Sequence, residues 1–171
     1  FLNDNTACYV LTGDNYPHRI PMRNDEERLN VYNESGEDGL RGYLGTPEEI
    51  DFDRINKELS EFKAGKDIIE IKHMGREDGD ISYDETDFTG IKVLILEWTH
   101  GGSEYLKGVD IPVFLESSPE ETKARRIKRG RDENAASPFI CRVVELEQEK
   151  LDLQGKNARI VVGKDGKVYE Q

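Results

Sequence analysis

Runs of apolar residues along the chain predict several buried β-strands, and the clearest lies at 91–97. Val93, Leu94, Ile95 and Leu96 follow one another with no polar residue between them. A strand without polar alternation is typical of a parallel sheet that helices cover on both faces. Shorter apolar runs at 7–12, 110–115 and 158–162 predict further strands. The pattern therefore predicts an α/β fold with a mostly parallel sheet sandwiched by helices.

Helical spacing occurs between these strands. Thr46, Pro47, Glu48 and Glu49 form a typical helix start, because Thr caps the amide groups, Pro suits the first turn and acids favour the helix N-terminus. An apolar stripe follows, made of Ile50, Ile55, Leu59 and Phe62. A second amphipathic helix is predicted over 139–153 and a short one over 25–29. The Gly-, Ser- and acid-rich stretch 33–46 predicts a mobile surface segment.

Two alternating segments, 67–72 and 81–83, predict a β-hairpin with a polar tip at 75–80. His73 lies on this hairpin. It is a candidate binding residue, and the alternative is a histidine that simply faces solvent.

Two of the predicted strands end in an acidic residue. Glu97 follows the apolar run 93–96, and Asp14 follows the strand at 7–12. In open α/β sheets ligands bind beyond the carboxyl ends of the strands, so both carboxylates are candidates for one crevice. The alternatives stay open: Glu97 could begin a surface turn, and Asp14 could form an Asx turn.

The overall charge limits the partners. The 171 residues carry 24 Lys and Arg against 36 Asp and Glu, a net charge of −12. A chain this acidic is not expected to offer a broad surface to nucleic acid or to an anionic membrane, because both are polyanions. Cys8 and Cys141 are far apart and suggest no disulfide framework. No apolar run reaches membrane-spanning length, and we expect a cytoplasmic protein.

One segment departs from this acidic composition. Six of the nine residues from 123 to 131 are Lys or Arg. Arginine grips phosphate oxygens with a planar fork, so the cluster predicts a phosphate-binding helix. A solvated helix face without a ligand is the alternative.

The order of these landmarks resembles the uridine kinase and phosphoribulokinase group of P-loop small-molecule kinases. The matching segments are the strand and loop at 10–16, the helix start at 43–53, the hairpin at 68–83, the strand at 93–97, the basic helix at 121–132 and the last strand at 158–162. The resemblance implies transfer of the γ-phosphate of ATP, with Mg²⁺, to a hydroxyl of a small molecule such as a nucleoside or a sugar-like alcohol.

The resemblance also implies roles for individual residues. Asp14 would act as the base for the acceptor hydroxyl and lie near Mg²⁺, and Glu97 would be a second acid on the metal side. Arg126, Arg129 and Arg131 would clamp the phosphates from a lid helix. The candidate acceptor-binding residues are Tyr16, Arg19, Tyr43 and His73.

One family motif is missing from the sequence. No Gly-x-x-x-x-Gly-Lys-Ser/Thr occurs in the 171 residues, and in this group that loop would precede Phe1. We therefore expect a single, amino-terminally truncated kinase-like domain that transfers little phosphate alone; homo-oligomers are compatible with the sequence. Two alternatives remain: a non-catalytic kinase-like module that binds a nucleotide or a protein, and a metal-dependent phosphate-ester hydrolase using Asp14 and Glu97.

Overall fold

The computed structural model describes residues 5–118, 120–122 and 137–171. The chain forms two compact units, Phe1–Val109 and Asp110–Gln171, each of which is described by itself. The first unit contains the strands β1 (Cys8–Thr12), β2 (Ile68–Met74), β3 (Ile81–Asp87) and β4 (Val93–Glu97), with the helices α1 (Pro21–Tyr43) and α2 (Phe52–Lys63). The sequence prediction of one domain over 1–171 stays a prediction.

Strands β1 and β4 pair in parallel, as the apolar runs predicted. Leu11 and Leu96 face the hydrophobic core of the first unit, while Val10 is 59% exposed and Ile95 is 38% exposed. Among the described residues, the face of this pair that carries Val10 and Ile95 is therefore the more exposed one. A run of apolar residues gives no periodicity from which one open face could have been recognised.

The helix before the hairpin starts later than predicted. Asp51, and not Thr46, caps α2: its side chain accepts a hydrogen bond from the Arg54 amide at 3.0 Å. Residues 46–49 form a turn instead, and Ile50 then makes an isolated bridge with Pro17. Tertiary contacts of this turn decide its shape, although its local sequence favours a helix.

Helix α1 corrects a second expectation, that 33–46 is a mobile surface segment. The helix runs through to Tyr43 with one interruption at Gly36, where φ is +66°. Leu40 and Leu44 are completely buried and anchor its end. Composition alone could not show these two anchors among so many polar residues.

The predicted hairpin is confirmed: β2 and β3 pair antiparallel over their full length, with Ile68 opposite Asp87 and Met74 opposite Ile81. Ile69 and Ile71 on β2 are buried, whereas most of β3 is exposed. Ile69 and Ile71 belong to the hydrophobic core of the first unit. The other buried residues of this core are Leu11, Tyr16, Ile50, Phe52, Ile55, Leu59 and Phe88.

The second unit contains β5 (Val113–Leu115), helix α3 (Pro138–Gly155), β6 (Ile160–Val162) and β7 (Val168–Glu170). β5 pairs with β6 in parallel, and β7 pairs with β6 antiparallel. Ser137 caps α3 by accepting a hydrogen bond from the Ile140 amide at 3.2 Å. The predicted phosphate-binding arginines Arg126, Arg129 and Arg131 lie outside the described residues. Within the ranges described, we find no helix long and apolar enough to cross a membrane.

Candidate active site

The carboxyl ends of β1 and β4 bring the two candidate acids together. Thr12 is the register partner of Glu97, and Asp14 follows Thr12 after one residue, in a short 3-10 helix. Both carboxylates are exposed. The adjacency follows from the parallel pairing, because the ends of parallel strands meet at one edge of a sheet. We call Asp14 and Glu97 the acidic edge.

Trp98 fixes the backbone at Gly13, the residue before Asp14. Its ring packs so closely on Gly13 that a Cβ atom there would fall inside the Trp98 side chain. Tyr16 and Phe52 flank the same ring, with centroids 6.2 and 5.6 Å away. The residue after Glu97 therefore holds the residue before Asp14, which couples the two strand ends.

The acidic edge has the chemistry that a magnesium ion needs. Mg²⁺ takes oxygen ligands and is commonly bound through one or two carboxylates together with substrate phosphates. Asp14 and Glu97 provide two such groups. Among the described residues no group of three or more His, Cys, Asp or Glu side chains could hold a metal by itself. The pair thus fits a Mg²⁺ ion that takes its remaining ligands from other groups.

Behind the acidic edge lies a buried polar cluster that the sequence reading missed. Its centre is Glu58, which is 1% exposed. Tyr16 donates its hydroxyl hydrogen to Glu58 Oε2, and Arg54 Nε donates to Oε1 at 2.6 Å. The Lys72 backbone amide also donates to Oε1, at 3.1 Å. We call Tyr16, Asp51, Arg54, Glu58 and Lys72 the flap cluster, because it joins the loop after β1 to the hairpin.

Lys72 is the most unusual member of the flap cluster. Its side chain is 2% exposed, and its Nζ donates to the Pro17 carbonyl at 2.9 Å. Asp51 Oδ2 lies 3.6 Å from the same nitrogen. Burial lowers the pKa of Lys72, and the nearby Asp51 carboxylate opposes that shift. Burial likewise raises the pKa of Tyr16, and its hydrogen bond to Glu58 adds to the effect.

The hairpin and the loop of Asp14 are also joined directly. The Met74 amide donates to Asn15 Oδ1 at 3.3 Å, one residue beyond Asp14. His73 lies between Lys72 and Met74 and is half-buried, with its Nε2 3.9 Å from Asp84 Oδ2. It therefore lies on the same short segment that holds the loop.

A second buried polar cluster surrounds Glu49, which is also 1% exposed. Glu49 Oε1 accepts hydrogen bonds from Arg28 Nε at 2.6 Å and Asn24 Nδ2 at 2.9 Å, while Oε2 accepts from the Gly45 amide at 2.6 Å. Burial acts to raise the pKa of Glu49, but Arg28 and the amide donors outweigh it and hold the pKa below its ordinary value. We call Asn24, Arg28, Gly45 and Glu49 the turn cluster.

Two predicted acceptor residues, Arg19 and Tyr43, are brought together. Arg19 donates to the Tyr43 hydroxyl at 3.4 Å and lies 3.6 Å from Glu27. Burial raises the pKa of Tyr43, and the Glu49 carboxylate adds to this shift. Tyr16, by contrast, has no exposed surface. Its ring packs near Trp98 and its hydroxyl donates to Glu58. Its contact with an acceptor stays a prediction.

Some signal for the missed residues was present in the sequence. Glu58 occupies a position on the apolar stripe of α2, between Ile55 and Phe62, where a charged residue is out of place. Lys72 gave no signal, because it follows buried Ile71 and simple alternation predicts that it faces solvent. Glu49 had no such signal, because its partners come from α1.

Comparisons with known proteins identify a relative of this chain. No protein-family model matches the chain. The chain is 74% identical over 171 residues to a bifunctional alpha-galactosidase/sucrose kinase, AgaSK, of Mediterraneibacter gnavus. That match covers all of this chain and 18% of the relative, so the chain spans less than a fifth of the relative's length.

A solved structure gives the fold. A phosphoribulokinase from Rhodobacter spheroides superposes with a TM-score of 0.69 at 11% sequence identity, over 94% of this chain and 61% of that one. The fold expected from the order of the motifs is thereby confirmed. The chain has the α/β fold of phosphoribulokinase, a P-loop kinase fold.

Proposed function

We propose that this chain forms part of an ATP-dependent kinase that phosphorylates a hydroxyl group of a small sugar. The observation that carries the proposal is the acidic edge: two exposed carboxylates at the ends of adjacent parallel strands, in a chain with a phosphoribulokinase fold. The acceptor class is suggested by the 74% identical relative, which is a bifunctional alpha-galactosidase/sucrose kinase. Sucrose is accordingly the first acceptor to test, and uridine the second.

In this proposal Asp14 accepts the proton of the acceptor hydroxyl as that oxygen bonds to the γ-phosphorus of ATP. The bond from the γ-phosphorus to the bridging oxygen breaks, and ADP leaves with the electron pair. A magnesium ion, when bound, supplies charge neutralisation to the phosphates, and Glu97 would help to hold it. Arg126, Arg129 and Arg131 would neutralise charge on the transferring phosphoryl oxygens, where positioning and electrostatics supply most of the catalysis.

The phosphate-binding loop would come from outside these 171 residues, because the sequence contains no Walker-type motif. The open face of the β1–β4 sheet supports this view. Val10 and Ile95 are register partners on that face, and both are exposed apolar side chains that an additional packed element would cover. We therefore expect the 171-residue chain alone to transfer little phosphate.

The acceptor would be bound between the end of α1 and the hairpin. Arg19 and Tyr43 would hydrogen-bond to sugar hydroxyls, and His73 would contact the acceptor from β2. An arginine next to a tyrosine ring offers both donors and an apolar face, which suits a polyhydroxylated ligand.

The decisive experiment measures transfer of ³²P from γ-labelled ATP to sucrose, with Mg²⁺, by the complete gene product that contains this chain. Asp14→Asn should lower kcat by about 100-fold or more, because a general base contributes roughly that factor. Asp53→Asn is the matched control, since Asp53 is an exposed acid on the surface of α2. It should leave kcat unchanged.

Two results would contradict the proposal. One is release of phosphate from ATP that does not depend on any acceptor, which would favour a hydrolase. The other is full activity in the Asp14→Asn protein. Transfer to uridine but not to sucrose would keep the kinase and overturn the acceptor.

A non-catalytic kinase-like module is the second candidate. It predicts that the complete gene product binds ATP, or a protein partner, and transfers no phosphate to any hydroxyl. Calorimetric titration with ATP beside the transfer assay separates the two.

A further inference from the structure

We infer that Lys72 is a positioning residue that fixes the loop of Asp14 to the hairpin of β2 and β3. The catalytic base and the acceptor-binding hairpin then move as one body. The inference rests on the proposed function for its catalytic meaning. Its structural content stands on the contacts of the flap cluster alone.

Lys72 contacts the loop, and its side chain leaves almost no surface exposed for a ligand. Its amine donates to the Pro17 carbonyl, and its side chain is 2% exposed. A buried lysine is costly unless its charge is paired. The Asp51 Oδ2 atom lies 3.6 Å from the Lys72 amine, so this ion pair is a loose one. Stability alone is a weak explanation for such a residue, because an apolar side chain of similar size often serves as well or better.

Several contacts converge on the same short loop. Met74 donates from the backbone to Asn15, and Tyr16 donates to Glu58, which in turn accepts from the Lys72 amide. Every residue from Asn15 to Pro17 is therefore tied to β2, directly or through Glu58. Asp14 precedes them immediately, so its backbone position depends on these ties.

His73 lies between Lys72 and Met74, the two residues that hold the loop. A ligand that shifts His73 would therefore shift the anchor of Asp14. This arrangement couples acceptor binding to the placement of the base, and a misplacement of about 1 Å can cost about 100-fold in rate.

The test uses Lys72→Met, which removes the charge and keeps the length of the side chain. Lys72→Met in the complete gene product should lower kcat by about 100-fold and change the KM for the acceptor by less than about threefold. Ile71→Val is the matched control: Ile71 is a buried neighbour on β2 that lies in the core and has no polar tie to the loop. It should lower the melting temperature and leave kcat within about twofold.

A second readout does not need activity. Trp98 is the single tryptophan of the 171 residues and packs on Gly13. Its fluorescence in the 171-residue protein therefore reports the position of the loop. Lys72→Met should increase quenching of Trp98 by acrylamide, while Ile71→Val should not. Asn15→Ala, a milder change that removes the tie to Met74, should increase quenching less than Lys72→Met does.

The outcomes separate the two proposals. Increased quenching in the 171-residue protein, together with a complete gene product that has no kinase activity, would overturn the proposed function and leave the anchoring role of Lys72 intact. Unchanged quenching in both Lys72→Met and Asn15→Ala would overturn the inference. So would a kcat that falls in Lys72→Met and in Ile71→Val by the same factor.

Discussion

The flap cluster and the turn cluster are built alike and hold different parts of the molecule. Each buries one glutamate, Glu58 or Glu49, at 1% exposure and pairs it with one arginine at 2.6 Å. Glu58 joins the loop after β1, helix α2 and the hairpin. Glu49 joins α1 to the turn that precedes α2. Similar chemistry is thus used once next to the acidic edge and once at the turn that precedes α2.

The difference indicates how a buried ion pair should be interpreted. Removing one partner of such a pair is costly in either cluster, because a charged group is left buried without compensation. A loss of stability therefore cannot show which cluster serves catalysis. The distinction must come from rates, since only the flap cluster touches the residues next to Asp14.

The largest expected effect comes from Glu58→Gln compared with Glu49→Gln. Both substitutions should lower the free energy of unfolding by about 3 kcal/mol, the scale for a broken buried pair. Glu58→Gln should in addition lower kcat by about tenfold or more, because the loop of Asp14 loses its anchor. Urea unfolding and the phosphoryl-transfer assay on the same preparations measure the two quantities.

Equal kcat values in these two variants would break the comparison. The flap cluster would then be a structural device like the turn cluster, and its closeness to the acidic edge would carry no functional meaning.

A second expected effect concerns the pH dependence of stability. The pKa of Glu49 lies below its ordinary value in the folded chain. Glu49 therefore binds fewer protons when folded, and its contribution is present above the unfolded pKa and lost as pH falls through the folded pKa. The difference in melting temperature between the native protein and Glu49→Gln should be largest near neutral pH. It should shrink below about pH 4.5.

Thermal unfolding at several pH values between 7 and 3 checks this expectation. A difference that stays constant with pH would show that Glu49 contributes through shape and hydrogen bonding and not through charge.

The two clusters also show which features can be predicted from the sequence. The strands, the hairpin and the acidic edge were predictable, because apolar runs and terminal acids are local patterns. The partners of Glu49 were not, because Arg28 and Asn24 approach it from α1, more than twenty residues earlier. For the same reason Thr46 looked like a helix cap: the local preference for a helix was overridden by contacts that no local window contains. The predicted phosphate-binding arginines stay predictions.

The smallest expected effect is at an exposed ion pair that looks strong on geometry alone. Arg23 donates to both carboxylate oxygens of Asp78 at the hairpin tip, from Nε at 3.0 Å and from Nη2 at 2.6 Å. The side chains are 46% and 61% exposed, so water competes for both partners. Exposed pairs of this kind contribute little to stability.

Arg23→Ala should therefore leave the melting temperature unchanged within error, in contrast to Glu49→Gln and Glu58→Gln. Its expected effect is local: faster amide hydrogen exchange at the hairpin tip, near Asp78, with unchanged exchange at the buried Ile71. If the melting temperature fell as far as in the two glutamate variants, burial would not be what separates strong pairs from weak ones here. Arg23 joins the first turn of α1 to the tip of the hairpin. Slower exchange at the tip in Arg23→Ala would therefore show that this ion pair destabilises the tip and does not stabilise it.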